Sequence, residues 1–371
     1  MAKNGFRVMD SDLHVMEPPD LWQRYIDPAY AHRAPVGGAS RPRDTSVTVE
    51  GKTLPLGKPS SPAFRALHDR LNLERYGAAI ARNFDAISQV QSMDTEGVDV
   101  AVLYPTRGLW VLAMDDLDPG LAAAIARAYN DWLHDFCRIA PDRMYGAAMV
   151  PPQNIEAAVA ETRRAVRSLG FRAVFLRPNH FCGRNWSDPY YYPLWEECQR
   201  LGVPVGFHEG GVVFLPQPAL PQFISTFSML NTLSLPLSVM VVCADMIYGG
   251  VLERFPRLKV AFLEGNCSWV PWLLWRMGEY VEMLGEAEYP DLKLPPREYF
   301  KRQCYASVEC DEVTAKHLPE FGLEDNIVFS TDYPHTDVKY PHAVDSFLKL
   351  PFPDETKRKY LWDNCARLYG F

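Results

Sequence analysis

Hydrophobic residues along the chain follow two alternating patterns: short apolar runs, and longer stretches in which apolar positions recur at helical spacing. This alternation is typical of βα units around a parallel sheet. The sequence predicts eight strands, at 6–9, 98–104, 144–150, 172–176, 203–207, 258–263, 304–308 and 327–330. We therefore expect the α/β class and, within it, a (β/α)8 TIM barrel.

Several predicted helices begin and end at residues that favour those positions. Asn154 is a favourable N-cap for a helix over 155–169, and Gly170 is a favourable stop. An aspartate followed by a first-turn proline opens two further helices, at 118–119 and 188–189. Helices and strands thus alternate at the spacing that a right-handed βαβ crossover needs.

The segment from about 27 to 94 is too long for an ordinary loop between a strand and a helix. Its first part is rich in Gly, Pro and Ser, and VTVEGKTLPL within it predicts a small hairpin that turns at Glu50 and Gly51. Its second part has mostly helix-forming residues. We interpret 1–371 as a single barrel domain, with this segment as an inserted cap after the first strand.

Composition and charge narrow the class of protein. Of 371 residues, 47% are hydrophobic and 23% are charged, with a formal net charge of −8, which excludes a disordered chain. The acidic balance argues against nucleic acid or a membrane surface as a partner, because both attract clustered Lys and Arg. The N-terminal residues show no apolar segment of the kind found in secretory signals.

Two further patterns concern the environment of the protein. The most apolar run, 235–252, is interrupted by Pro236 and Asp245, and it predicts a buried helix rather than a membrane span. The eight cysteines show no CxxC spacing, so neither a zinc finger nor a disulfide framework is indicated. We expect a cytoplasmic enzyme that acts on a small molecule and forms a homo- or hetero-oligomer.

Side chains of the metal-binding and acid–base types follow most of the predicted strands. They are Asp12 and His14 after the first strand, Arg177 and His180 after the fourth, His208 after the fifth, Glu264 after the sixth, and Asp332 and His335 after the eighth. In an α/β barrel the C-terminal ends of the strands form one face, and that face carries the chemistry. We therefore expect these side chains to converge.

Four of these residues form a ligand set suited to a divalent metal ion. Asp12 and His14 are two residues apart, so both point to the same face of a strand. With His208 and Asp332 they offer two imidazoles and two carboxylates, which suit Zn²⁺ and equally Mn²⁺ or Fe²⁺. Taken singly, each could instead cap a helix or pair with an arginine. Taken together, they favour a metal site.

Six segments of the chain are distinctive: DSDLHVMEPPDLW (10–22), AYNDWLHDF (128–136), FHEGG (207–211), GGVLERFPRLKVAFLEG (249–265), STDYPH (330–335) and DNCARLYG (363–370). They resemble the amidohydrolase-related family of metal-dependent TIM-barrel enzymes, in the branch that includes aminocarboxymuconate semialdehyde decarboxylase. The resemblance implies that Asp12 and His14 are first-strand metal ligands, with Asp12 where many members have His. It also implies that His208 is a ligand and that Asp332 binds metal and moves protons.

The chain departs from that branch at two points. Decarboxylases of that branch typically carry a histidine after the sixth strand, and this chain has Glu264 there. An anionic carboxylate thus replaces the imidazole that would protonate a carbon atom of the substrate. No lysine follows the fourth strand, so the resemblance does not imply a carbamylated lysine between two metals. Glu264 is instead a candidate metal ligand, second base or orienting group.

These residues lead us to expect a metal-dependent hydrolase for a small carboxylated or aromatic substrate. A metal ion, with Zn²⁺ as the first expectation, would lower the pKa of a bound water from about 15.7 towards about 7, and Asp332 would accept its proton. Arg177, His180 and His335 would bind the substrate. We expect His68 and the remaining histidines to be surface or core residues.

Three alternatives stay open. A non-oxidative decarboxylase of the same fold would release CO₂ without O₂. A dinuclear iron or iron–manganese oxygenase would use the carboxylates to bridge two ions, and it would need electron-donor partners. A non-catalytic subunit of a hetero-oligomer would carry a site that has drifted at Asp12 and Glu264. Glu17, just before Pro18 and Pro19, could reach the site or hold its loop through backbone N–H groups.

Overall fold

The computed structural model describes residues 3–55, 61–208 and 226–371. Eight of its strands form one parallel sheet in the order β1-β5-β6-β7-β8-β9-β10-β11, with helices around it, so the predicted TIM barrel is confirmed. The strands are β1 (Met9–His14), β2 (Val36–Gly37), β3 (Val47–Val49), β4 (Lys52–Leu54), β5 (Val100–Tyr104), β6 (Met144–Met149), β7 (Ala173–Leu176), β8 (Val205–His208), β9 (Val260–Leu263), β10 (Cys304–Val308) and β11 (Ile327–Phe329).

The helices in the described ranges pack mainly outside the barrel. The α-helices are α1 (Leu21–Tyr25), α2 (Pro62–Ala81), α3 (Ala86–Glu96), α4 (Gly108–Val111), α5 (Pro119–Cys137), α6 (Ile155–Ser168), α7 (Tyr192–Leu201), α8 (Phe227–Tyr248), α9 (Val251–Arg254), α10 (Val270–Glu288), α11 (Pro296–Gln303), α12 (Ala343–Leu348), α13 (Asp354–Arg358) and α14 (Asn364–Tyr369). Short 3-10 or π turns lie at Pro28–Arg33, Pro189–Tyr191, Val313–Phe321, Glu324–Asn326 and Lys359–Asp363.

Both predicted ends of helix α6 are confirmed. The Asn154 side chain accepts a hydrogen bond from the Ala157 backbone N–H at 3.0 Å, at the start of α6. Gly170, just past the end of that helix, has a φ of 75°, a left-handed conformation that glycine adopts without steric cost. The local signals in the sequence therefore set the ends of this helix.

Side-chain hydrogen bonds join the last strand to the first. The Ser11 hydroxyl donates to the Phe329 carbonyl at 2.7 Å, and the Ser330 hydroxyl donates to the Asp12 carbonyl at 3.2 Å. Beyond the end of β11, the His14 backbone N–H donates to the Tyr333 carbonyl at 2.7 Å. These bonds bring the residues after β11 against the C-terminal end of β1.

The first strand differs from its prediction. It spans Met9–His14 rather than 6–9, and all six of its residues are buried, although Asp10, Asp12 and His14 are polar. A strand that turns polar side chains towards a functional site lacks the apolar alternation by which strands are recognised. The other predicted strands match the observed ones to within two residues at either end, and 304–308 matches β10 at both ends.

The segment after α1 contains a small antiparallel sheet of β2, β3 and β4, followed by the long helix α2. The predicted hairpin is confirmed, since β3 pairs with β4 and the chain reverses at Glu50 and Gly51, with φ values of 48° and 76°. The predicted boundary at Asp94 falls inside α3, the helix that leads into β5.

Most of the most apolar run, 235–252, lies in α8, which contains Pro236 and is 22 residues long. By length and composition it is the one helix of the described residues that could cross a membrane, and only 33% of its most apolar window is buried. The prediction of a helix is confirmed, but the prediction that it is buried is wrong for most of its residues. All eight cysteines are free, as the absence of a disulfide pattern predicts.

Candidate active site

Three strands that are far apart in sequence bring four polar side chains together inside the barrel mouth. His14 Nε2, at the end of β1, lies 2.9 Å from His208 Nε2 at the end of β8 and 3.2 Å from Asp332 Oδ1 after β11. Asp12 Oδ1 lies 3.2 Å from His208 Nε2 and 3.6 Å from His14 Nε2. The predicted convergence of these four residues is therefore observed.

His14 is held so that one ring nitrogen faces the cluster. Its Nδ1 lies 2.7 Å from the Pro105 carbonyl oxygen, which can only accept a hydrogen bond, so Nδ1 carries the proton and Nε2 presents its lone pair. Burial, reinforced by the nearby His335 and His208, lowers the pKa of His14 to about 3. The neutral imidazole is the form that binds a metal ion.

The two carboxylates are also placed as metal ligands would be. Both carboxylate oxygens of Asp12 are fully buried, and neither accepts a hydrogen bond from any residue in the described ranges. Burial raises the pKa of Asp332 to about 6, and the proximity of His14 opposes this increase. A buried acid without hydrogen-bond donors, as Asp12 is, requires another source of positive charge.

The separations between these atoms fit a bound ion. Metal–ligand bonds of about 2.1 Å at right angles place neighbouring ligand atoms about 3.0 Å apart, and tetrahedral bonds place them about 3.4 Å apart. The four separations run from 2.9 to 3.6 Å. Asp12, His14 and His208 form one group of candidate ligand atoms within 4.8 Å of one another, and His14, Asp332 and His335 form a second.

Glu264 and His335 lie beside this cluster. The Glu264 carboxylate is 3.5 Å from His208 Nδ1 and 3.6 Å from His335 Nδ1. His335 Nδ1 is in turn 2.8 Å from Asp332 Oδ1, and its ring stacks on His14 with 4.1 Å between centroids. Sequence reasoning assigned His335 to substrate binding, whereas the geometry also places it among the candidate ligands.

Both Glu264 and Asp332 have left-handed backbones, with φ values of 52° and 54°. This conformation costs a residue other than glycine about 1 kcal/mol or more. Such strain persists only where the surrounding structure enforces it, and it concentrates at functional sites. The barrel thus holds these two carboxylates in positions that a relaxed backbone would not give them.

Asp10 holds the backbone next to the cluster, and the sequence analysis did not identify it as a candidate site residue. It accepts hydrogen bonds from the Asp12 backbone N–H at 3.1 Å and from the Thr331 backbone N–H at 3.2 Å, and the Thr331 hydroxyl also donates to it. Burial raises its pKa to about 7. The signal was present in the sequence, because Asp10, Asp12 and His14 recur at every second position of one strand.

The remaining predicted residues lie apart from the cluster. The buried Arg177 donates to Asn179 Oδ1 at 2.9 Å and to the Leu109 carbonyl at 2.7 Å, and it lies over the Trp110 ring. His180 is half-buried in the loop after β7. Neither residue is among those that line the cavity described next, so their roles in substrate binding stay predictions.

A cavity of about 580 Å³ lies between the barrel mouth and the inserted segment. Glu264 and His335 line it, together with the start of α8 and several residues of the inserted segment, among them Arg41, Arg43, Phe64 and His68. His68 Nε2 is 2.6 Å from Thr336 Oγ1, which ties α2 to the loop after Asp332. His68, which the sequence predicts to be a surface or core residue, is half-buried and lines this cavity.

Glu17 forms hydrogen bonds to the loop after β5 and does not belong to the cluster. Its carboxylate accepts hydrogen bonds from the backbone N–H groups of Thr106, Arg107 and Gly108, at 3.2, 2.8 and 2.9 Å. Of the two roles considered for Glu17 from the sequence, the loop-holding role is thus the observed one. This loop continues into Leu109 and Trp110, which line the cavity.

Comparison with known proteins adds independent information. A family model for the amidohydrolases matches residues 9–371. The 2-amino-3-carboxymuconate-6-semialdehyde decarboxylase of Dictyostelium discoideum is 28% identical over 300 residues, which cover 77% of each chain. The gamma-resorcylate decarboxylase of Polaromonas sp. is 26% identical over 292 residues, which cover 76% of this chain and 86% of the relative.

Solved structures share the fold over its whole length. An amidohydrolase from Mycobacterium avium subsp. paratuberculosis superposes with a TM-score of 0.77 at 23% identity and covers 100% of both chains. A 5-carboxyvanillate decarboxylase from Novosphingobium aromaticivorans, with bound manganese, has a TM-score of 0.69 at 19% identity and covers 100% of this chain and 98% of its own.

Proposed function

Because this chain belongs to the amidohydrolase family, we propose that it is a metal-dependent, non-oxidative decarboxylase of a small aromatic or conjugated carboxylic acid. The observation that carries the proposal is the buried cluster of Asp12, His14, His208 and Asp332. Support for decarboxylation comes from the two curated relatives described above, both of which are decarboxylases. Hydrolysis, our first expectation from the sequence, receives no such support.

We assign Asp12, His14, His208 and Asp332 as the residues that would hold one divalent ion, with Mn²⁺ favoured over Zn²⁺ because manganese is bound in the related decarboxylase structure. A bound ion would supply positive charge that stabilises negative charge developing on the substrate oxygens. The two groups of candidate ligands share His14, whose other nitrogen is occupied by Pro105. This sharing supports one ion rather than the two that a dinuclear oxygenase needs.

Asp332 and His335 would carry the proton. As the bond to the carboxylate carbon breaks, CO₂ leaves and the electron pair stays on the substrate carbon, which takes a proton from Asp332. His335, 2.8 Å away, would return a proton to Asp332, and Glu264 would orient His335.

The test is CO₂ release by protein that has been stripped of metal and reloaded with Mn²⁺ or Zn²⁺. Gamma-resorcylate and 5-carboxyvanillate would be supplied without O₂, in D₂O. We expect Mn²⁺-dependent CO₂ release, with deuterium at the vacated carbon. Asp332→Asn should lower kcat by about 100-fold or more, and His208→Ala should lower metal content.

The matched control is His317→Ala, because His317 is an exposed histidine, 53% accessible, that pairs only with Glu320 among the described residues. It should leave both metal content and rate unchanged. Hydrolysis of aryl esters or amides without CO₂ release would support a hydrolase instead. O₂ consumption with two metal ions per chain would support an oxygenase.

A further inference from the structure

One face of helix α2, in the inserted segment, is bound to the loop that carries His335. Four side chains exchange hydrogen bonds with residues 335–338, and they are His68, Asn72, Arg75 and Tyr76. Their spacing along the sequence places them on the same side of an α-helix. Arg75 donates to the carbonyls of Thr336 and Val338, at 2.6 and 2.8 Å. The inserted segment therefore holds the backbone of this loop.

The backbone of His335 is fixed on both sides. The Tyr76 hydroxyl donates to the His335 carbonyl at 2.7 Å, and the His335 N–H donates to the Asp332 carbonyl at 2.9 Å. Together these bonds set the position from which the imidazole extends. The ring stacks on His14 with 4.1 Å between centroids, and its Nδ1 lies 2.8 Å from Asp332 Oδ1. The contact with α2 is thus one bond away from the residue that we assign to proton return.

Tyr76 is itself held in place by packing. Its side chain is buried, and the ring lies edge-on to that of Tyr333, with 5.5 Å between centroids, and 5.4 Å from that of Tyr340. Burial raises the pKa of the Tyr76 hydroxyl, so the hydroxyl stays protonated and able to donate. Tyr76 is not among the described residues that line the cavity. It is therefore placed to act on His335 rather than on a substrate.

We propose that Tyr76 is a positioning residue for His335: its hydroxyl holds the His335 carbonyl so that the imidazole stays against His14 and Asp332. This inference rests on the proposed function for the part that His335 takes in returning a proton. Groups that transfer protons must be held within about 0.5 Å of their productive positions by neighbours that are themselves fixed. The inserted segment would thereby take part in proton transfer, in addition to lining the cavity.

A double-mutant cycle tests this role. Tyr76→Phe removes only the hydroxyl, and it should lower kcat for CO₂ release about ten-fold with KM within about two-fold of the original. In a His335→Ala background, Tyr76→Phe should change kcat by less than about two-fold, because no imidazole remains to be misplaced. Tyr248→Phe is the matched control, since the Tyr248 hydroxyl also donates to a backbone carbonyl, that of Met277, at 3.2 Å. It should leave kcat unchanged in both backgrounds.

A second measurement needs no turnover. Nuclear magnetic resonance of the full-length protein, labelled with ¹⁵N-histidine and supplied with diamagnetic Zn²⁺, reports the position of each imidazole. The signals of His335 are identified by their loss in His335→Ala. We expect Tyr76→Phe to shift or broaden these signals and to leave those of the exposed His317 unchanged, whereas Tyr248→Phe should move neither. A tyrosine with a purely structural role would lower the melting temperature without moving the His335 signals.

Three results would overturn the inference: His335 signals that stay unchanged in Tyr76→Phe, a kcat that Tyr76→Phe does not lower, or an equal loss of kcat with and without the His335 imidazole. If the signals shift but no acid releases CO₂, the positioning of His335 by Tyr76 stands and the proposed reaction is wrong. If CO₂ is released and the losses of kcat are equal in both backgrounds, the reaction stands and the role of Tyr76 is wrong.

Discussion

Glu17 shows how one buried side chain can shape the site without taking part in its chemistry. The residue is fully buried, and its carboxylate accepts hydrogen bonds from three consecutive backbone N–H groups, those of Thr106, Arg107 and Gly108. Burial raises the pKa of Glu17, while these hydrogen bonds oppose the increase. The loop that follows β5 therefore depends on Glu17 for its conformation.

Replacing Glu17 with Ala should destabilise the protein by about 3 kcal/mol, because it leaves buried N–H groups without acceptors. Urea unfolding followed by circular dichroism would measure this change. Glu74→Ala is the control, since Glu74 lies on α2 with 60% of its side chain exposed, and it should change stability by less than about 0.5 kcal/mol. Equal effects of the two substitutions would show that Glu17 does not hold the loop.

At the residue scale, the sequence was sufficient to predict the four residues of the cluster, but it was not sufficient to predict which residues line the cavity. Asp12, His14, His208 and Asp332 were found because each follows or ends a strand, and barrel topology gathers strand ends at one face. Arg43 belongs to an inserted segment whose placement over the barrel depends on tertiary packing. No local pattern around Arg43 indicates which way its side chain points.

At the scale of single elements, local signals were most reliable where they act within one turn of helix. The Asn154 cap of α6 was predicted and observed. Asn154→Ala should therefore lower stability by about 1 kcal/mol, whereas Asn154→Ser should lose little, because a serine hydroxyl can accept the same bond from Ala157. Thermal and urea unfolding of the two variants would measure the difference, and equal losses would argue against the capping role.

The first strand illustrates why a strand boundary can be predicted wrongly. Asp10 and Asp12 of this strand contact Thr331, after β11, and His208, at the end of β8. These partners lie about 320 and about 200 residues away in sequence. The alternation of hydrophobic residues within one strand carries no information about such distant partners. Polar strands at functional sites are therefore the places where pattern-based prediction is expected to fail.

At the scale of the whole molecule, the cluster joins distant parts of the chain. Asp12 lies on the first strand of the barrel sheet, and Asp332 follows the last one. His208 lies at the end of β8, the fifth of the eight strands in the order of the sheet. An ion held by these residues would connect β1, β8 and the loop after β11. Since a ligand that binds only the folded state stabilises it, metal content should control the stability of the barrel as a whole.

We therefore expect Mn²⁺ to raise the melting temperature of chelator-treated protein, by the equivalent of about 2.7 kcal/mol at a concentration 100 times Kd. Because Asp332 must be deprotonated to bind metal and has a pKa of about 6 in the ligand-free protein, this stabilisation should weaken as the pH falls below about 6. Asp12→Asn should abolish most of the Mn²⁺ effect but leave the metal-free protein at least as stable, because a buried charge is removed. Differential scanning calorimetry at pH 5 and pH 8, with His317→Ala as the control, would test both effects. An unchanged Mn²⁺ response in Asp12→Asn would exclude Asp12 as a ligand.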